Sequence, residues 1–118
     1  MLVLAAFAGC GKSGPQVAPV RGRVTLDGQP LPNTGVVFRV SGQSSGGRTD
    51  ENGNYELIYK RGLKGAPIGM NHVVILEDTQ VTHGPQRVPA RYNDKSDLER
   101  EVKAGDNEFD FDLKSDTK

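Results

Sequence analysis

At 118 residues the chain makes one domain, and its 35% apolar content makes the core a thin one. Fifteen basic and fifteen acidic side chains cancel, which argues against nucleic acid as a partner, because proteins that bind it carry a basic excess. Fifteen glycines, seven prolines and no tryptophan indicate many turns between short strands, and one cysteine excludes an internal disulfide.

The chain opens on an apolar run, residues 2–7, closed by the small residues Ala8 and Gly9 and then by Cys10. An apolar core ahead of small residues is the pattern of a secretory signal, and it is far shorter than the ~20 residues a transmembrane helix needs. Phe7-Ala8-Gly9-Cys10 resembles the lipobox of bacterial lipoproteins, with Phe7 where leucine is usual and no basic residue ahead of the run. The resemblance implies cleavage between Gly9 and Cys10, a lipid on the Cys10 sulfur, and an exported protein anchored in the cell envelope, at the periplasmic face or outer membrane. Two or more acyl chains hold a protein to a bilayer stably where one holds it only marginally. Gly11-Lys12-Ser13-Gly14-Pro15 reads as a flexible polar tether. The organisation expected is therefore a signal segment over 1–9, anchor cysteine and linker over 10–18, one domain over 19–114 and a tail over 115–118.

A competing pattern overlaps the tether. Ala6, Gly11, Lys12 and Ser13 fit a loose phosphate-binding loop, with residues 73–78 as its partner strand. Such a loop needs a helix directly behind it to face the phosphate. Pro15, Pro19 and the alternating run that follows leave no room for one, so nucleotide hydrolysis is set aside.

From residue 20 the pattern is period two. Residues 20–26 put Val20, Val24 and Leu26 on one face and Arg21, Arg23 and Thr25 on the other, a half-buried strand. Asp27-Gly28 signals a tight turn, and Pro30 and Pro32 keep residues 29–32 out of any central strand. Residues 36–40 form the next strand, with Val36, Phe38 and Val40 inward. Residues 41–47 read as a polar, glycine-rich loop. Asn52-Gly53 marks a hairpin into residues 55–59, with Tyr55, Leu57 and Tyr59 on one face. A basic loop over 60–66 leads to the longest apolar run, residues 72–76, expected to be covered on both faces. Residues 77–86 read as a long loop and residues 88–92 as a short extended edge piece. Residues 98–102 are expected to form a strand that turns through Gly105-Asp106-Asn107, hairpin fashion, into the alternating run 108–113. In that run Phe109, Phe111 and Leu113 face inward. No stretch holds a 3.6-residue period, so almost no helix is expected. The fold class predicted is all-β, a single antiparallel sandwich of about seven short strands.

Three segments then resemble one family: Gly22-x-Val24-x-x-Asp27-Gly28-x-Pro30-Leu31, Val36-x-Phe38, and Thr49-Asp50-x-x-Gly53-x-Tyr55-x-Leu57. Together they are similar to the carboxypeptidase-regulatory-like, transthyretin-type β-sandwich. Gly65-x-Pro67-x-Gly69 and Gly105-x-Asn107-x-Phe109-x-Phe111-x-Leu113 resemble small lipoproteins of this kind in planctomycete-type bacteria. The resemblance spans about residues 19–113 and implies a fold and an envelope address, with no reaction attached. The hydroxyisourate-hydrolysing branch of these folds ends in Tyr-Arg-Gly-Ser, whereas this chain ends in Ser115-Asp116-Thr117-Lys118, so its activity is not transferred.

The candidate sites are few. Asp50, Asn52, Asn54 and Glu56 offer oxygens to calcium, but Asp, Asn and Gly are also what a tight hairpin requires, and the turn reading is preferred. Asp94, Asp97, Glu99 and Glu101 read as a solvated acidic face. His72 and His83 are the only histidines and lack a third ligand for zinc, so no metal and no cofactor are expected. No catalytic constellation emerges. Tyr59, Tyr92 and Arg91 are the candidate ligand-binding side chains, because aromatic and guanidinium planes suit a glycan or a protein partner. The function expected is a non-enzymatic, membrane-anchored envelope lipoprotein with a structural or interaction role. The alternative is a carbohydrate- or peptide-binding module at the cell surface.

Overall fold

A computed structural model describes residues 16–77, 87–93 and 95–115. Among them the chain is all-β, with one turn of 3-10 helix at Ala90–Tyr92. Two larger sheets face each other across one core, and two further strands form a separate short pair.

The first sheet is built on β2 (Val20–Leu26), the alternating segment read from the sequence. A short hairpin at Asp27 and Gly28, both with positive φ, returns the chain as β3 (Gln29–Pro30). The second sheet begins with β4 (Thr34–Val40) and β5 (Gln43–Arg48). Residues 41–47 are thus mostly strand and not loop. Ser41 and Gly42 both have positive φ, which the two-residue hairpin between Val40 and Gln43 requires. The strand was hidden because Ser, Gly and Gln show no apolar alternation; only Ser45 points fully inward.

After the Asn52-Gly53 turn, β6 (Asn54–Glu56) pairs antiparallel with β2. The strand expected to run on to Tyr59 instead changes sheets. The Leu57 amide still donates to the Val20 carbonyl, but Ile58 exchanges both backbone bonds with Gly46 of β5. One side of the sandwich is therefore bridged. The chain then turns at Arg61 and Gly62 and returns as β7 (Ala66–Pro67), which pairs with β1 (Val17–Ala18). That first strand starts two residues ahead of the expected domain boundary.

β8 (Gly69–Glu77) is the longest strand and sits between β4 and β9 (Leu98–Val102), giving the order β5-β4-β8-β9, all antiparallel. Its cover is incomplete. Val73 and Ile75 are fully buried and Val74 nearly so, but Leu76 is 37% exposed.

β9 does not form a hairpin with the last segment. The chain crosses to the other sheet, where β10 (Asn107–Glu108) and β11 (Phe111–Leu113) run parallel to β2. The sandwich is thus not purely antiparallel. Asn107 shapes the crossing: its side chain accepts from the Lys103 amide and donates toward the carbonyls of Lys103, Gly105 and Pro19. Gly105 does bend the chain at positive φ, but a turn signal does not say whether the chain rejoins its own sheet.

The run 108–113 is also interrupted. The Phe109 amide still donates to the Arg21 carbonyl (2.9 Å), but strand pairing breaks at Phe109 and Asp110, and the Asp110 carboxylate accepts from the Arg23 amide (3.0 Å) in place of a backbone carbonyl. Across the strand, the Tyr55 hydroxyl donates to the Phe109 carbonyl at 2.6 Å. That carbonyl lies so close to Gly22 that an added Cβ would stand 1.8 Å from it, so only glycine fits. Phe38 closes the core from the second sheet, its ring 6.0 Å from Phe109 and 6.4 Å from Phe111. With Val24, Val36, Leu31, Leu57, Val102 and Leu113 also buried, one continuous apolar layer joins the sheets.

Candidate functional site

The three side chains singled out for ligand binding are not brought together. Tyr59 is half-buried, and its hydroxyl donates to the Gln43 side chain of β5 at 2.5 Å, with the Lys60 ammonium 5.3 Å from its ring. Tyr92 and Arg91 lie on the 3-10 turn, which Pro89 starts and whose fixed φ suits that position. The expected extended piece is closed instead by bonds from the Tyr92 amide to Pro89 and from the Asn93 amide to Ala90.

Both residues work on the end of β11. The Tyr92 hydroxyl accepts from the Lys114 amide at 3.0 Å, and the Arg91 guanidinium donates to the Lys114 carbonyl while lying 4.8 Å over the Tyr92 ring. One residue further, hydrogen bonds from the Ser115 hydroxyl and amide hold the Asp27 carboxyl below its ordinary range. Phenol and guanidinium thus fix the end of the last strand to the 3-10 turn, and the Asp27 carboxylate fixes it to the β2–β3 turn. Around them Leu26, Asp27, Val88, Pro89, Ala90 and Ser115 line an open groove of about 640 Å³.

The acidic hairpin is likewise used internally. One oxygen of Asp50 accepts from the Asn52 and Asn54 amides at 2.9 and 3.0 Å, which shapes the turn. Next to it the buried Thr49 hydroxyl donates to the Leu31 carbonyl (2.6 Å) and accepts from the Thr34 amide (2.9 Å). Among the described residues no group of three His, Cys, Asp or Glu side chains is placed to hold a metal ion. His72 is exposed, and one ring nitrogen lies 2.7 Å from the Ser96 carbonyl. Gly9, Cys10, His83 and Asp94 lie outside the described residues.

Two features escaped the sequence reading. The first is Glu77, whose side chain is fully buried. It accepts from the Arg87 guanidinium at 2.7 Å and from the Arg87 and Val88 amides, so a charged pair closes the two chain segments that meet there. Their ten-residue separation gave no signal. The second is the outer face of β2. Arg21 and Arg23 line a groove of about 460 Å³ with Asn54, Tyr55, Glu108 and Asp110, all from strands that pair with β2 or from the break after β10. Burial pushes the Tyr55 phenol well above its ordinary value, and Asp110 adds to the shift.

With this geometry in hand, a likeness to a solved structure is seen. A crystal structure of a DUF3823 family protein from Parabacteroides merdae ATCC 43184 aligns with a TM-score of 0.55 at 14% identity. The alignment covers 86% of this chain and 48% of that one, so this chain spans about half the length of its structural neighbour. The likeness is one of fold. No family model matches the chain, and no curated protein matches it.

Proposed function

We propose that the chain is a lipid-anchored envelope protein whose sandwich, of the carboxypeptidase-regulatory and transthyretin type, has a structural or interaction role and no catalysis. One observation carries the structural part. Tyr92, Arg91, Asp27, Tyr59 and Asp50, the side chains best suited to a ligand, all engage the protein's own backbone or side chains. The anchor rests on Phe7-Ala8-Gly9-Cys10 and the polar tether behind it, which leads into β1 at Val17. Detergent phase separation of the protein made in a lipoprotein-processing bacterium tests it. Wild type enters the detergent phase and Cys10→Ala stays aqueous; equal partition of the two refutes the anchor.

The groove beside Arg21 and Arg23 favours a second reading, a carbohydrate- or peptide-binding module. A glycan or peptide array in which Arg23→Ala loses a signal that Tyr92→Phe keeps would support this reading over the first.

A further inference from the structure

We infer that the 58–64 hairpin is a second membrane contact, a tip that rests on anionic phospholipid headgroups. The inference rests on the anchored reading for its location and on the hairpin's own chemistry for everything else.

The tip is a tight turn. The Leu63 amide donates to the Lys60 carbonyl and the Tyr59 amide to the Leu63 carbonyl, with Arg61 and Gly62 at positive φ between them. Ile58 bridges Lys64 across the hairpin and Gly46 on its other side, so the tip projects from a fixed base. Residues 60–64 are all exposed. Three of the five, Lys60, Arg61 and Lys64, are cations, and no acid lies among them. Lys64 approaches Glu56 only at 3.9 Å, with both side chains more than half exposed, a pairing worth little in water.

Leu63 stands among these cations with 54% of its surface exposed. Of the five large apolar side chains exposed among the described residues, four fall between positions 58 and 70: Ile58, Leu63, Ile68 and Met70. Exposed leucine beside lysine and arginine suits a bilayer interface, where the apolar group enters the headgroup layer and the cations meet phosphates.

The hairpin also lies beside the entry of the tether. It continues through Gly65 into β7, which pairs with β1, and the Ile68 amide donates to the Gln16 carbonyl. The six steps from Cys10 to Gln16 span at most about 20 Å when extended, so an anchored Cys10 keeps this side of the domain near the bilayer.

The test compares the full chain carrying Cys10→Ala with the same chain also carrying Lys60→Glu, Arg61→Glu and Lys64→Glu, in flotation with phosphatidylcholine vesicles with and without 30% phosphatidylglycerol. Both proteins keep the same apolar leader, so the difference between them reads the hairpin. Each cation near an anionic surface is worth about fivefold in binding, so losing three weakens binding to the anionic vesicles about a hundredfold, and the three added carboxylates weaken it further. Parent binding to those vesicles falls as salt rises, and Leu63→Ser weakens it at constant charge. Matching thermal midpoints show that the exposed substitutions leave the fold intact. Equal binding by parent and charge-reversed protein overturns the inference. So does charge-dependent binding to a soluble anionic polysaccharide with none to vesicles. Because Cys10 is absent from every protein compared, a failure here leaves the anchor standing, and loss of the anchor leaves this result standing.

Discussion

The two sheets reach stability by different means. In β5-β4-β8-β9 the register is carried by backbone ladders, six paired positions between β4 and β5 and six between β4 and β8. In the sheet around β2, no neighbour pairs with more than three residues, and side chains complete what the ladders leave open. Asp110 stands in for a carbonyl, Tyr55 ties the interrupted strand and Asn107 shapes the crossover. A long ladder keeps its register without help from polar side chains, whereas a sheet of fragments is specified by a few polar groups that must all be paired.

That contrast can be broken from its centre outward. Phe38 touches both sheets, and Phe38→Ala is expected to cost about 3–5 kcal/mol in chemical denaturation by opening a cavity between them. Paired glycine substitutions sharpen it further. Gly22→Ala drives a Cβ into the Phe109 carbonyl and is expected to cost about 1–3 kcal/mol. Gly46→Ala in the laddered sheet meets nothing nearer than 3.7 Å and should leave the thermal midpoint close to wild type. Similar losses for the two would erase the distinction.

Thr49→Val leaves the buried Thr34 amide without its hydroxyl acceptor, an expected loss of about 1–3 kcal/mol by urea denaturation. Tyr55→Phe removes one hydrogen bond and should cost about 1 kcal/mol at neutral pH. It should also change the alkaline limb of stability. The Tyr55 phenol ionises at higher pH folded than unfolded, so its contribution is complete below the ordinary tyrosine value of 10.0 and declines as pH rises beyond it. Thermal midpoints followed above pH 10 should therefore fall more steeply in wild type than in the phenylalanine variant.

The same contrast explains what could be read in advance. β2, the Asp27-Gly28 turn, β4, the Asn52-Gly53 turn and β9 were legible, because alternating apolar residues and positive-φ turn residues are local signals. β5 was not, since its serines and glycines carry no pattern and its place is set by pairing with β4. The parallel return of β10 and β11 depends on which sheet the chain rejoins, which no local window records. Among the candidate site residues, type was a poor guide to role. Tyr92 and Arg91 have the chemistry of a binding pair, but only tertiary structure shows them holding Lys114. Glu77 and Arg87 gave no sequence signal, because tertiary structure alone decides that this carboxylate is buried and which cation meets it.

The central claim is that this sandwich hangs from a lipid on Cys10. The intact mass of the protein extracted from native membranes, beside a Cys10→Ala variant, tests it most directly. The account predicts a mature chain that starts at Cys10 and carries added acyl mass, with no such species from the variant. A chain that still begins at Met1 and carries no added mass would contradict it.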